Sequence, residues 1–190
     1  MRIVLTGGIA CGKSLLAKYL NDLGVETLDA DDIVHGLIPE EERRRMADEI
    51  FRDPAKRREL EARIHPLVRC KLDEFASSPA ETIRIEIIPL LFECNWEGVY
   101  DIIICVSSPR NIQIERMIKH RGYTEEQAEA RLAAQLPIEE KAERSDYVVV
   151  NDGSAEILKK EAEKLVEWLK GRYNGRERNQ KDRRTGEIKL

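Results

Sequence analysis

Gly7-Gly8-Ile9-Ala10-Cys11-Gly12-Lys13-Ser14 fits the spacing G-x-x-x-x-G-K-[ST]. Glycines at such a turn let backbone N–H groups converge on an anion, and a helix starting there adds the positive end of its dipole. The lysine can reach the β- and γ-phosphates of a nucleoside triphosphate, and the hydroxyl beside it can ligate Mg²⁺. The residues expected to hold ATP are therefore Gly8, Ala10, Cys11, Gly12, Lys13, Ser14 and Leu15, with Ser14 as the metal ligand. The plain alternative is a glycine turn that happens to precede Lys-Ser. Strand before and helix after are what separate the two readings.

Both are present. Ile3-Val4-Leu5 is a short apolar run suited to a strand buried on both faces, and Leu15, Leu16, Ala17, Tyr19 and Leu20 follow at helical spacing until Gly24. Val25-Glu26-Thr27-Leu28 offers a second strand, after which Asp29, Asp31 and Asp32 stand where a helix begins. Residues 40–75 are helical in pattern and highly charged, with interruptions expected at Asp53-Pro54 and His65-Pro66. Residues 82–88 and 101–106 are the third and fourth strands, and Tyr147-Val148-Val149-Val150 the fifth. Two helices are expected within 110–135, broken at Arg121-Gly122-Tyr123, with a capping box at Thr124-Glu125-Glu126-Gln127. Ser154 opens a last helix with Ile157, Leu158, Leu165, Val166 and Leu169 on one side. Strands alternating with helices specify an α/β fold, a five-stranded parallel doubly wound sheet.

The chain has 190 residues, enough for one such core, and a formal net charge of −4. An acidic surface argues against a general nucleic-acid or membrane binder. The charge is uneven: 172–190 sum to +4, leaving −8 for the rest. That terminal stretch has no apolar period and is expected to be solvated and mobile, so the domain is placed at 1–171. Cys11, Cys70, Cys94 and Cys105 form no metal-binding spacing. Apolar surroundings in sequence predict packing roles for Cys70 and Cys105. The strand that starts at Ile3 leaves no room for a signal peptide, and no apolar run is long enough for a membrane span, so the expected location is cytoplasmic.

A phosphate loop alone does not separate a kinase from a GTPase or a motor. No N-K-x-D guanine motif is found, and an internal helix pair suits a lid that keeps water from a transferring phosphoryl group. At this point the chain resembles the dephospho-coenzyme A kinase family. The resemblance runs from the N-terminus to about Gly153 and rests on several stretches in order. They are Leu5-Thr6-Gly7-Gly8-Ile9 with Gly12-Lys13-Ser14, Leu23-Gly24-Val25 leading to Asp29-Ala30-Asp31, His65-Pro66-Leu67-Val68, and Ile88-Pro89-Leu90-Leu91-Phe92-Glu93. Arg131-Leu132-Ala133-Ala134-Gln135, Lys141-Ala142 and the run from Asp146 through Gly153 complete the series. The resemblance implies a P-loop kinase fold with a helical acceptor-side insertion over about 33–78 and a lid over about 110–145. It also implies transfer of the ATP γ-phosphate to the 3′-hydroxyl of dephospho-coenzyme A, the last step of coenzyme A synthesis.

Roles follow residue by residue. A ribose hydroxyl needs a carboxylate to accept its proton, and the resemblance assigns this to Asp31; helix capping is the competing role for Asp29, Asp31 and Asp32. Asp29 stays open between a metal-bound water and the turn. Arg116, Arg121 and Arg131 on the lid helices are candidates to neutralise the transferring group, against the usual solvated fate of a helix arginine. Asn151 and Gly153 resemble the adenine-side loop, or form a plain strand-to-helix turn. His65, Pro66, Pro89, Leu90 and Glu93 resemble the acceptor pocket; on sequence alone His65-Pro66 is better read as a helix break, and for Leu90 and Leu91 a core position is the competing role.

Four departures stand out, three substitutions and one shortened segment. Ala10, Cys11 and Leu15 replace the family's usual glycine, serine and threonine, leaving backbone N–H donors intact. Cys11 at a helix N-terminus beside an anion site is expected to favour its thiolate, and its alkylation to block ATP binding. Between His35 and Arg43 the family carries a longer segment, and its shortening bears on acceptor binding; the family's following stretch survives as Arg43, Met46, Ile50 and Phe51. Two other readings compete: another small-molecule P-loop kinase, and an ATP-binding switch that engages a protein through the basic tail.

Overall fold

The computed structural model describes residues 1–41, 53–78 and 82–185. Among them, strands β1 (Ile3–Gly7), β2 (Glu26–Asp29), β3 (Arg84–Ile87), β4 (Ile102–Ser107) and β5 (Tyr147–Val150) pair in parallel in the order β2-β3-β1-β4-β5. The expected strands are all present, their ends moved by a residue or two. β1 lies at the centre and is buried throughout, as its unbroken apolar run requires. Registers such as Asp29 opposite Ile87 and Gly7 opposite Val106 bring the carboxyl ends of the strands to one edge.

Alternation along β1 divides the core. Ile3 and Leu5 face a layer with Leu16 and Leu20 of α1 (Lys13–Asp22) and Leu165 and Leu169 of the last helix. Val4 faces the other side, with Ala30 of α2 (Ala30–Leu37), Val68 and Leu72 of α3 (Pro54–Ser77), and Leu91 and Phe92. Helices thus cover both faces, as right-handed crossovers between parallel strands demand. At the opposite edge from the phosphate loop, buried Glu86 is satisfied by Arg2 at 2.7 Å and by the Tyr100 hydroxyl at 2.5 Å.

α3 corrects one expectation. Asp53-Pro54 does mark a boundary, with Asp53 accepting N–H bonds from Ala55 and Lys56 and Pro54 in the first turn, where its missing N–H costs nothing. His65-Pro66 does not break the helix, which continues through Pro66 to Ser77. A single lost hydrogen bond is outweighed by the burial of Val68 and Leu72 on the turns beyond it. The stretch carrying Arg43, Met46, Ile50 and Phe51 lies outside the described residues.

On the other side of the sheet, α4 (Arg110–Arg121) ends at Gly122 in the left-handed region, and α5 (Glu125–Ala133) starts with the expected capping box at Thr124 and Gln127. A short helix, α6 (Ile138–Glu143), was not legible as a separate element; it is brief and buries only Ile138 and Lys141. α7 (Ala155–Thr185) runs beyond residue 171, so the charged stretch from 172 has helical backbone as far as 185; residues 186–190 lie outside the described residues. Ile157 departs from the apolar side expected of it, standing 50% exposed. No helix among the described residues is long and apolar enough to cross a membrane.

Because α3 runs through Pro66, replacing Pro66 with alanine restores a helical N–H and is expected to stabilise the protein by about 1–3 kcal/mol. A urea unfolding midpoint that falls in the variant would show instead that the ring itself contributes packing.

Candidate active site

β1 ends at Gly7, whose φ of 143° turns the chain out of the sheet. A Cβ there would lie 2.2 Å from the Val106 carbonyl oxygen. Gly12, φ 93°, is also constrained, since a Cβ would lie 2.3 Å from Asn151 Nδ2. That amide donates to the Cys11 carbonyl at 2.9 Å, and the Asn151 carbonyl accepts from Ser108 Oγ at 2.6 Å. The segment after β5 therefore clamps the loop from behind. Ala10 has a φ of 58°, a conformation that costs an alanine about 1–2 kcal/mol.

In front of the loop lies a cavity of about 470 Å³ lined by Ala10, Gly12, Lys13, Ser14, Asp29, Asp31, Pro89, Leu90, Arg116 and Arg121, together with Ile9, His120 and Gln135. Lys13 Nζ donates to the carbonyls of Gly7 at 2.9 Å and Gly8 at 2.7 Å. Burial pulls the Lys13 ammonium below the usual lysine range, with Lys141 adding to the effect and Asp31 and Asp29 opposing it. Arg116 is fixed against the loop through Ser108 Oγ at 3.0 Å, the Ala10 carbonyl at 3.3 Å and Asn151 Oδ1 at 3.3 Å.

The carboxylates divide their work. Asp29 Oδ1 accepts the Asp31 N–H at 2.9 Å and caps α2, and burial raises its pKa. Asp31 sits in the first turn of α2, where its side chain makes no capping bond and its place in the cavity wall is open to a substrate. Capping, the competing role for Asp31, falls to its neighbour.

Other expected residues lie elsewhere. Arg131 is outside the cavity wall, 4.0 Å from the Tyr123 ring centroid and donating to the Gln127 carbonyl. Glu93 Oε1 is taken by Lys141 at 2.6 Å and by the Leu136 N–H at 2.9 Å. His65 meets the Trp96 ring edge-on at 5.0 Å, and Pro66 lines a separate open depression with Arg69 and Cys70. Gly153 is exposed and outside the cavity wall, beside Ile157, whose Cδ1 would meet a Cβ at 2.8 Å. Gly8 faces a second cavity of about 280 Å³, and the Leu15 N–H is used within the helix start, donating to Gly12.

Cysteine chemistry runs against expectation. Cys11 is fully buried in the core, and burial raises its pKa, so the thiol and not the thiolate is favoured; Gln113 Nε2 lies 3.0 Å from its sulfur. Alkylation of Cys11 in the folded protein has no open path. Cys105 is buried as expected, and burial pushes its thiol up to about 12, but Cys70 is exposed beside Glu74.

Several contributors were assigned no role from the sequence, although Ile9, Gln135 and Lys141 lie in stretches that carry the resemblance. Gln113 was detectable in principle, as a polar residue one helical turn from buried Met117 on the same face. Lys141, fully buried, donates to the Pro89 carbonyl at 3.1 Å, and that oxygen also accepts from Thr6. His120 carries no local signal, and only the folding of three separate segments brings it to one cavity with Ile9 and Gln135.

Fold and site together define a phosphotransferase of the P-loop kinase class. A family model described as dephospho-CoA kinase matches residues 1–42 and 40–156, and the chain belongs to the dephospho-CoA kinase family. The two matched stretches meet at 40–42, within the shortened segment after His35. The chain is 36% identical over 197 residues to the dephospho-CoA kinase of Anaeromyxobacter dehalogenans, covering 90% of this chain and 93% of that one. Among solved structures, TT1252 from Thermus thermophilus superimposes with a TM-score of 0.75 at 32% identity, over 88% of this chain and 98% of that one. The dephospho-CoA kinase from Campylobacter jejuni gives a TM-score of 0.68 at 25% identity, over 90% and 98%.

The loop geometry separates two neighbouring positions. Gly12→Ala is expected to weaken ATP binding by roughly tenfold or more, through both the clash with Asn151 and the positive φ. Ala10→Gly is expected to raise stability by about 0.5–1 kcal/mol, the left-handed penalty less the entropy glycine loses. Calorimetric titration with ATP and urea unfolding read the two; unchanged ATP affinity in Gly12→Ala would contradict the clamp.

Proposed function

We propose that Asp31 is the base with which this chain phosphorylates dephospho-coenzyme A, and that Lys13, Arg116 and Arg121 neutralise the transferring group. As a member of its family the chain is a dephospho-CoA kinase, a phosphotransferase that uses ATP in the final step of coenzyme A biosynthesis. The observation that carries the assignment of Asp31 is that it shares the cavity with Lys13 and Ser14 while Asp29 does the capping.

The acceptor's 3′-oxygen forms a bond to the γ-phosphorus as the bond from that phosphorus to the β-bridging oxygen breaks. The hydroxyl proton passes to Asp31, and ADP leaves with the electron pair. Converging N–H groups of the loop and the start of α1 orient the phosphate chain. Lys13 exchanges its bonds to the Gly7 and Gly8 carbonyls for phosphate oxygens, and low exposure strengthens that attraction. Arg116, already held by Ser108 and Asn151, reorganises little as charge moves. Ser14 lines the cavity beside Asp29 and Asp31, an oxygen-donor set that suits Mg²⁺; when bound, the ion supplies further charge neutralisation.

Pro89 and Leu90 form the acceptor-side wall. α4, α5 and α6 serve as the lid, and the insertion that includes α3 serves the acceptor side, with His65 and Pro66 contributing through it and not at the cavity wall. Arg131 and Glu93 support the lid and the wall. Asn151 and Gly153 form the adenine-side edge. A cytoplasmic location fits this role.

An assay with ATP, Mg²⁺ and dephospho-coenzyme A decides the reading. The intact chain is expected to yield coenzyme A and ADP, with rates lowered about 10²- to 10⁴-fold in Lys13→Ala and Asp31→Asn. No transfer by the intact chain, or transfer to nucleosides or shikimate instead, would sink it.

A further inference from the structure

Ile9 is the point where the phosphate loop meets the lid, and both of its backbone polar groups are taken by side-chain carboxamides. Gln113 Nε2 of α4 donates to the Ile9 carbonyl at 2.8 Å, and Gln135 Oε1, just after α5, accepts the Ile9 N–H at 3.1 Å. Gln113 is 2% exposed and packs as a fixed part of the core. Gln135 differs: it is half-buried and lines both the 470 Å³ cavity and the 280 Å³ cavity behind the loop, forming the wall between them.

Gln135 is itself tied to the acceptor side. Its own N–H donates to the Leu132 carbonyl, and the next N–H, of Leu136, donates to Glu93 Oε1 at 2.9 Å. Glu93 pairs with buried Lys141 at 2.6 Å, and Lys141 donates to the carbonyl of Pro89, a residue of the cavity wall. A continuous set of bonds thus runs from Pro89 through Lys141, Glu93 and Leu136 to Gln135 and on to Ile9. It ends one residue before Ala10, whose left-handed backbone needs its neighbours to hold it.

We propose that Gln135 is a positioning residue for phosphoryl transfer: by accepting the Ile9 N–H it couples the lid and the acceptor-side wall to the shape of the phosphate loop. A neutral carboxamide suits this place, since a carboxylate would make the same bond but stand as an anion beside the phosphates. The kinetic half of the proposal rests on the kinase reading; the structural half does not.

Gln135→Met keeps the length and removes the acceptor, and Gln135→Glu keeps the acceptor and adds charge. In Gln135→Met, exchange of the Ile9 amide, followed by ¹⁵N-resolved NMR, is expected to speed about tenfold, with the urea midpoint nearly unchanged. ATP affinity and kcat are each expected to fall roughly tenfold, with KM for dephospho-coenzyme A within about twofold of the parent. Gln135→Glu is expected to restore Ile9 protection while ATP binding stays weak. Parent-like exchange at Ile9 in Gln135→Met overturns the proposal, as does faster exchange with parent-like ATP affinity and kcat. Should the intact chain transfer nothing to dephospho-coenzyme A, amide exchange and ATP titration still test the coupling, so the two failures are distinguishable.

Discussion

The close approach of Asn151 to Gly12 is the constraint on which the site depends. A carboxamide from the end of the edge strand β5 occupies the space that any side chain at Gly12 would need, and bonds the Cys11 carbonyl next to it. The loop therefore cannot be shaped by its own sequence alone; it is cast against a segment 140 residues away. The same segment bonds Arg116 and Ser108, so one contact sets both the anion-binding backbone and a cation that faces the cavity.

Sheet order explains why such remote pieces meet. With β1 in the middle, its carboxyl end is flanked by those of β3 and β4, and Pro89 and Ser108 follow directly from them. In open parallel sheets the ends of the strands leave a crevice where ligands bind. Here one side of the crevice carries carboxylates at the start of α2 and the other carries arginines on α4, with Lys13 between. A phosphoryl donor and a hydroxyl acceptor need that polarity: cations around the phosphates and a base toward the hydroxyl. Beneath Pro89, buried Lys141 pairs with half-buried Glu93; the desolvation cost is partly offset by the Pro89 carbonyl and the Leu136 N–H, while Glu93 Oε2 has no partner among the described residues.

Much of this was legible before any coordinates. The phosphate loop, the strands, the acidic start of α2 and the capping box of α5 are local patterns, and local patterns report backbone preference faithfully when neighbouring elements agree with them. The misreadings share a cause. Pro66 is a helix breaker by propensity, but burial of Val68 and Leu72 outweighs one missing N–H. Cys11 sits at a helix N-terminus, which favours a thiolate, yet its side chain points into the core, where desolvation wins. Cys70 has apolar neighbours in sequence but an outward place on α3.

By itself the sequence determined the strands, the helices apart from α6 and the run of α3 through Pro66, the parallel arrangement and the chemical class, because hydrophobic period, glycine placement and the Lys-Ser pair act within a few residues of one another. Family likeness added the acceptor. Only the tertiary structure decided that Asp29 caps while Asp31 lines the cavity, that Arg116 and Arg121 reach the cavity while Arg131 lies against Tyr123, and that Gln113, Gln135 and Lys141 bond the loop and the wall. For Asp29 and Arg131 the assignment depends on side-chain direction, and for Gln113, Gln135 and Lys141 on partners far along the chain; neither is encoded in local spacing.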